Sequence, residues 1–176
     1  MVLGAAVEHG HLRTNPAASI PRVSSQIALG RDNPPWNIHE SRRANKASED
    51  HWFGLPVRLA LVYGMRKGEI MGLQWGDIDF NANELHIRRS RREYLAYDDG
   101  GKSRLESIES QPKTRSSLRT LRIGEKMHEV LWAAAMAAQN GPFVDDGDYV
   151  VENPKSGGPI SSTLFRRGFK DFLRQS

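Results

Sequence analysis

The spacing of hydrophobic positions changes along the chain, and each spacing predicts a different kind of element. Two stretches carry apolar residues three and four apart, which is typical of helices that bury one face. The stretch between them alternates apolar and polar residues, as strands do. The predicted helices cover about residues 38–47, 50–63, 65–73 and 127–138, and Ser161 or Ser162 caps a last helix that ends just before the end of the sequence. The predicted strands cover 75–80, 85–89 and 118–123, with 104–109 as a further candidate. Helices, a small three-stranded antiparallel sheet and further helices indicate an α+β class, mainly helical.

Two local signals indicate where helices begin and end. Asn37, followed three residues later by Glu40, matches a capping box, so a helix should begin at Ile38. Gly64 supplies a residue that can take positive φ just past the end of the second helix. We therefore expect a tight corner at Gly64 that reverses the chain into the third helix.

The first residues of the chain are organised differently. Residues 1–12 predict a short helix with nothing of its own to pack on, which Thr14-Asn15-Pro16 stops. Residues 14–36 are rich in Pro, Ser, Asn and Gly, which suits an extended linker. We interpret residues 1–13 as the last helix of a preceding domain and residues 37–176 as the N-terminal part of the next one.

The last predicted helix carries Phe165, Phe169 and Phe172 as one apolar stripe. A stripe of this kind needs partners, and we expect it to lack them within this chain. Exposed apolar patches seldom persist on monomers, so the helix should self-associate or fray.

Composition narrows the classes of protein to consider. The chain has 176 residues, of which 38% are hydrophobic and 26% charged, as in globular proteins. It has no cysteine, which excludes disulfides, zinc ribbons and thiol catalysis, and its histidines are scattered singly. No apolar run reaches the roughly 20 residues of a membrane span, and the first residues lack the features of a signal peptide. We expect a cytoplasmic protein that binds no metal and no membrane.

Basic residues are concentrated between residues 88 and 122, the basic segment, although the net charge of the whole chain is only +4. The basic residues of this segment are Arg88, Arg89, Arg91, Arg92, Lys102, Arg104, Lys113, Arg115, Arg119 and Arg122, and its acidic residues are Glu93, Asp98, Asp99, Glu106 and Glu109. Two interpretations fit this excess: a solvated surface of mixed charge, or an electrostatic footprint for phosphate groups.

A motif lies at residues 63–80, which read Tyr-Gly-Met-Arg-Lys-Gly-Glu-Ile-Met-Gly-Leu-Gln-Trp-Gly-Asp-Ile-Asp-Phe. It resembles the first arginine box of the tyrosine recombinases, the family that includes the phage integrases. That box has a Gly, an apolar residue, Arg, two further residues and Glu, and then a Leu, a Trp and an Asp-Ile-Asp strand. All of these are present, although Tyr63 stands where the family often has Thr. The resemblance implies an integrase-like catalytic domain that cleaves and rejoins DNA through a 3′-phosphotyrosine, without metal or nucleotide cofactor.

The resemblance assigns Arg66 to the clamp on the reacting phosphate. Negative charge gathers on the nonbridging oxygens in the transition state, and a guanidinium offers them a planar fork of donors whose charge is permanent. Glu69 lies about one helical turn further on, where it can accept from that guanidinium and orient it. Taken without the rest of the box, Arg66 and Glu69 are equally a plain surface ion pair.

A second segment, residues 111–123, resembles the Pro-Lys-Thr turn between the second and third strands of the family's sheet. Lys113 matches the lysine that protonates the leaving 5′ oxygen, and an ammonium can give up a proton where a guanidinium cannot. By itself, a lysine in a polar turn is more often simply solvated. The side chains that suit contacts to DNA phosphates near it are those of Thr114, Arg115, Ser117 and Arg119.

The resemblance stops before the family's second box. A His-x-x-Arg motif and the tyrosine nucleophile should follow the helix that ends this sequence, and nothing in the sequence follows it. His39 with Arg42 and His86 with Arg89 have the right spacing, but both pairs precede Lys113, and chance explains them in a chain with this many arginines. Tyr63, Tyr94, Tyr97 and Tyr149 all precede that position. We therefore expect the end of a core-binding domain, a linker and the first part of a catalytic domain, inactive without the rest.

This interpretation implies double-stranded DNA with attachment sites as the partner, self-association as a recombinase tetramer on DNA, and no small-molecule substrate. The protein would be bacterial or phage-encoded. Two alternatives stay open: a degenerate integrase remnant that only binds DNA, and a structural α+β domain whose basic residues face solvent. A coding sequence that continues into His-x-x-Arg and a tyrosine favours the recombinase, and DNA retention at low salt separates both DNA-binding interpretations from the third.

Overall fold

The computed structural model describes residues 2–18, 35–98, 101–110, 118–138 and 145–175. The chain divides into two compact units, Met1–Pro35 and Trp36–Ser176. The elements are α1 (Val2–Glu8), α2 (Ile38–Ala47), α3 (Gly54–Tyr63), α4 (Lys67–Gly72), β1 (Ile78–Asp79), β2 (Glu84–Ile87), β3 (Ser90–Tyr97), β4 (Ser103–Ser110), β5 (Arg119–Arg122), α5 (Glu125–Ala137) and α6 (Ser162–Gln175). Among the described helices, none combines the length and the apolar character that crossing a membrane requires.

The predicted capping box is present at the start of α2. The side-chain oxygen of Asn37 accepts hydrogen bonds from the backbone N–H groups of His39 and Glu40, each at 2.9 Å. In return, the Glu40 carboxylate accepts from the Asn37 N–H at 2.8 Å. Because both groups are satisfied locally, α2 begins at Ile38 as the sequence predicts.

The glycine corner after α3 is also confirmed. Gly64 lies in the left-handed region, with φ of 60°, and its N–H donates to the carbonyl of Ala60. A side chain at this φ would be strained, so glycine is the residue that ends α3 at lowest cost. Helix α4 begins at Lys67, two residues later than predicted, with the extended Arg66 as its N-cap.

Helix α3 begins at Gly54, four residues later than predicted. The residues before it form a turn in which His51 Nδ1 accepts from the Phe53 N–H at 3.0 Å. The chain passes so close to the end of α2 that a Cβ on Gly54 would lie 1.9 Å from the carbonyl oxygen of Ser48. Real Cβ atoms do not come so near to a backbone atom, so the helix start would have to move.

Replacing Gly54 by alanine should therefore lower the free energy of unfolding by about 1–3 kcal/mol, the usual cost of overpacking. Chemical denaturation followed by circular dichroism measures this loss. Gly147→Ala is the matched control, because a Cβ there meets nothing within 4 Å. Equal stability of the two variants would contradict the close approach of α2 and α3.

The predicted three-stranded antiparallel sheet is present, in the order β1-β2-β5. Strand β2 is central: Leu85 pairs with Ile78 of β1 on one side and with Leu121 of β5 on the other. The strands are shorter than predicted, because Trp75–Asp77 forms a 3-10 turn and β2 ends at Ile87. Leu85 and Ile87 are fully buried and belong to the hydrophobic core beneath the sheet.

A second, two-stranded antiparallel sheet departs from the predicted fold. Strand β3 pairs with β4 along its whole length, from Ser90 opposite Ser110 to Tyr97 opposite Ser103. The candidate strand at 104–109 is confirmed, but it pairs with β3, for which the alternation of residues gives no signal. Most positions on this ribbon are exposed or half-buried on both faces, so no alternation of apolar and polar residues is needed.

The base of this ribbon is packed against α4. A Cβ on Gly68 would lie 2.4 Å from the Ser90 hydroxyl, and a Cβ on Gly72 would lie 3.0 Å from the backbone nitrogen of Arg91. The two glycines are one helical turn apart on one face of the helix. They let the strand lie directly on α4, whose position fixes the candidate site.

The phenylalanine stripe of α6 finds partners inside the second unit. Phe165 packs edge-on against Phe53 with ring centroids 4.8 Å apart, and Phe172 packs edge-on against His51 at 5.4 Å. Both phenylalanines are buried, whereas Phe169 is 40% exposed. Phe169 stacks on Trp36, with ring centroids 6.5 Å apart. The expectation of an unpartnered stripe is therefore wrong, and the expected self-association or fraying now rests only on the exposed part of Phe169.

Candidate active site

Arg66 stands at the corner between α3 and α4, in extended conformation just before the helix begins. Its backbone N–H donates to Glu69 Oε2 at 2.9 Å, and its Nη1 donates to Glu69 Oε1 at 3.3 Å. The side chain is nevertheless 75% exposed. The backbone of Arg66 is thus fixed by the carboxylate, while most of its guanidinium donors face solvent.

Glu69 is the buried centre of the arrangement, with a side chain that is only 5% exposed. It accepts two hydrogen bonds from the guanidinium of Arg119, Nη1 to Oε1 at 3.1 Å and Nη2 to Oε2 at 2.9 Å. Burial by itself would raise the pKa of the Glu69 carboxyl. The hydrogen bonds from Arg119 and from the Arg66 backbone, together with both guanidinium charges, outweigh burial and hold that pKa below its ordinary value.

The structure brings together three residues that the sequence analysis placed in two separate motifs. Glu69 was predicted to orient Arg66, and the two are in contact. Arg119 was predicted to contact DNA phosphates, but here its fork is directed at Glu69 and its side chain is only 28% exposed. Sequence reasoning missed this partnership because the two residues are 50 positions apart.

The basic segment does not form one uniform solvated strip. Arg89 forms an ion pair with the buried Asp77 at 2.7 Å, and Arg88 approaches the same carboxylate at 3.6 Å. Arg91 is buried and donates to the carbonyl of Ile160 at 2.8 Å. With Arg119, several of the arginines that suggested a phosphate footprint therefore have donors engaged by other groups of the protein.

Comparisons with known proteins agree on one family, although no protein-family model matches the chain. The chain is 30% identical over 130 residues to a tyrosine recombinase XerC-like protein of Caldanaerobacter subterraneus subsp. tengcongensis. The aligned region covers 72% of this chain and 33% of that protein. The chain belongs to the tyrosine recombinase family. It is also 32% identical over 88 residues to the integrase of Escherichia phage HK022, which covers 49% of this chain and 23% of that protein.

Solved structures of this family share the fold. The Tn1549 transposon integrase in complex with a circular intermediate DNA superposes on this chain with a TM-score of 0.63 at 18% sequence identity. The superposition covers 98% of this chain and 55% of that one. The same integrase in complex with transposon right end DNA also gives a TM-score of 0.63. These likenesses confirm the predicted integrase-like α+β fold. This recombinase-family chain spans about a third or less of the length of the curated relatives that it matches.

The predicted general acid and its neighbours lie outside the described residues. These are Lys113, Thr114, Arg115 and Ser117. The strand residues on either side are described: Ser110 pairs with Ser90, and Arg119 pairs with Ile87.

Two of the four tyrosines of this recombinase-family chain, Tyr94 and Tyr149, donate their hydroxyls to carboxylates. Burial raises the pKa of the Tyr149 hydroxyl, and its hydrogen bond to Glu109 and the charge of that carboxylate raise it further. A hydrogen bond to Glu106, at 2.6 Å, raises the pKa of Tyr94. A raised pKa disfavours the phenolate that attacks a phosphate, so these tyrosines are poorly suited as nucleophiles. Within the described ranges, no three His, Asp or Glu side chains are grouped so that they could hold a metal ion.

Proposed function

We propose that this chain is part of a site-specific DNA recombinase that cleaves and rejoins DNA through a 3′-phosphotyrosine intermediate. The observation that carries the proposal is the state of Arg66. Its guanidinium is 75% exposed, while a buried carboxylate fixes its backbone at the helix corner. A cation held in this way meets a phosphodiester with little loss of conformational freedom, which favours the transition state.

Each residue has a separate role in this proposal. Arg66 binds the nonbridging oxygens of the scissile phosphate, and Glu69 orients Arg66. Lys113 gives a proton to the leaving 5′ oxygen when the bond between phosphorus and that oxygen breaks. The further contacts to the DNA backbone come from Thr114, Arg115 and Ser117.

The rest of the machinery belongs to parts of a recombinase that these 176 residues do not contain. A tyrosine nucleophile and a His-x-x-Arg motif would complete the phosphate clamp. In this proposal, residues 1–13 are the end of a core-binding domain and residues 14–36 are a linker. The division of the chain into two units after residue 35 lies next to the proposed start of the catalytic domain at residue 37. We further propose that the whole protein acts in the cytoplasm on double-stranded attachment sites and assembles there as a tetramer.

A second candidate function is that of a DNA-binding remnant without catalysis. The engagement of Tyr94 and Tyr149 by carboxylates favours it for the chain taken alone. The two functions differ in one product, a covalent link between protein and DNA. Denaturing electrophoresis after incubation with a nicked substrate detects that link in a complete recombinase and should not detect it with this chain.

The chain should bind duplex DNA weakly, with a Kd on the order of 10⁻⁶ to 10⁻⁴ M and a steep loss of affinity as salt rises. Fluorescence anisotropy at several salt concentrations measures both. Arg66→Gln should weaken binding and reduce the salt slope by about one unit, as expected for one phosphate contact. Arg167→Gln is the matched control, because Arg167 on α6 is 77% exposed, close to the exposure of Arg66.

Two outcomes would contradict this proposal. Binding that ignores salt between low and physiological strength would favour a structural domain whose basic residues only face solvent. Equal losses in Arg66→Gln and Arg167→Gln would mean that the chain attracts DNA by general charge and that Arg66 has no special place in it.

A further inference from the structure

Arg119 is the main partner of the buried Glu69 carboxylate. It donates to both carboxylate oxygens, at 3.1 and 2.9 Å, whereas the guanidinium of Arg66 gives one longer bond of 3.3 Å. A planar guanidinium matches a carboxylate in this two-bond arrangement, and charge-assisted pairs of this kind are among the strongest hydrogen bonds in proteins. Arg119 therefore compensates most of the negative charge of Glu69.

This pairing joins two distant parts of the chain. Glu69 lies on α4, next to the corner that carries Arg66, and Arg119 is the first residue of β5, opposite Ile87 of β2. Strand β5 directly follows the segment that contains Lys113, six residues before Arg119. One ion pair thus ties the strand that follows the proposed general acid to the helix that carries the proposed phosphate clamp.

We propose that Arg119 is a positioning residue of this site: by satisfying Glu69 it leaves the fork of Arg66 available for the phosphate and fixes β5 against α4. This inference rests on the proposed function, and it replaces a direct DNA contact of Arg119 by an indirect one. Without Arg119, the buried carboxylate would retain an uncompensated charge, and Arg66 would turn inward to compensate it. The phosphate would then compete with Glu69 for the same guanidinium.

The state of Glu69 gives a direct readout. Its folded pKa is lowered, so the ion pair stabilises the fold at pH above the ordinary value of 4.5 and is lost as the pH falls through the lower folded value. Arg119→Gln should move the midpoint of the Glu69 titration upward, as followed by carboxyl ¹³C NMR, and should shift the Nε resonance of Arg66. Arg119→Lys keeps the charge without the fork and should restore the midpoint only in part. Arg122→Gln, a change at an exposed position of the same strand, should leave both signals unchanged.

DNA binding by the same chain separates positioning from direct contact. In a chain that retains Arg66, Arg119→Gln should weaken DNA binding by roughly twofold to tenfold. In a chain that already carries Arg66→Gln, the same change should weaken binding much less, because the effects of residues that act through one another are not additive. The proposal is overturned if the two losses add and Arg119→Gln removes its own unit of salt slope, since that identifies a phosphate contact. It is also overturned if the Arg66 resonance and the Glu69 midpoint do not respond to Arg119→Gln. A failure of the proposed function itself would give a different result: the Arg66→Gln chain would bind DNA as tightly as the unaltered chain.

Discussion

Arg66→Lys should slow DNA cleavage by roughly 10²- to 10³-fold in a complete recombinase that carries this chain, the range seen when a donor to a developing oxyanion is removed. Because lysine keeps the positive charge, the loss of cleavage rate measures the contribution of the planar guanidinium donors and not that of the charge. A guanidinium donates to two phosphate oxygens in one plane, and an ammonium acts as a point charge. Single-turnover cleavage of a suicide substrate, which traps the covalent adduct, isolates this step from later ones.

The structure provides the control for that experiment. Arg167→Lys changes an equally exposed arginine, on α6, that the proposal gives no role, and its cleavage rate should stay within about twofold of the unaltered enzyme. A loss below tenfold in Arg66→Lys would mean that the charge alone is sufficient. In that case, the orientation of Arg66 by Glu69 would have no catalytic purpose.

Local patterns account for the parts of the site that the sequence predicts. The Asn37 cap and the Gly64 corner each depend on a few neighbouring residues, so their geometry follows from short-range chemistry. The contact between Arg66 and Glu69 spans one helical turn and is predictable for the same reason. These local features place the arginine at a corner before any tertiary contact is known.

Features that depend on tertiary contacts are the ones that the sequence does not reveal. The pairing of Arg119 with Glu69 joins residues 50 positions apart, and no spacing rule connects them. The partner of the candidate strand at 104–109 is equally hidden, because exposed ribbons need no alternation of residues. The late start of α3 comes from the approach of Gly54 to Ser48, which only packing determines.

The interpretation of the basic segment changes most between sequence and structure. A count of charges treats every arginine as available to DNA, although Arg89 and Arg91 are committed to Asp77 and to the carbonyl of Ile160. Because their donors are engaged by other groups of the protein, these two arginines contribute little to a phosphate footprint. The electrostatic case for DNA binding therefore depends on the exposed Arg66 and on those basic residues of the segment that stay exposed, such as Arg92, Lys102 and Arg122, more than on the total charge.

Lys113→Ala should also lose roughly 10² to 10³ in cleavage rate, but for a different reason, which is the missing proton for the leaving oxygen. When the tyrosine attacks phosphorus, the bond to the 5′ oxygen breaks and that oxygen must take up a proton. A substrate with sulfur at this bridging position leaves as a thiolate, which needs no proton. The sulfur substrate should therefore restore most of the rate to Lys113→Ala.

The comparison with Arg66 makes this test specific. Arg66→Lys should show no such rescue, because charge still develops on the nonbridging oxygens of the sulfur substrate and the fork is still absent. Both variants are measured with oxygen and sulfur substrates under single-turnover conditions, and the ratio of the two rates is compared with that of the unaltered enzyme. If sulfur rescues both variants equally, or neither of them, Lys113 is not the general acid. The proton must then come from another group.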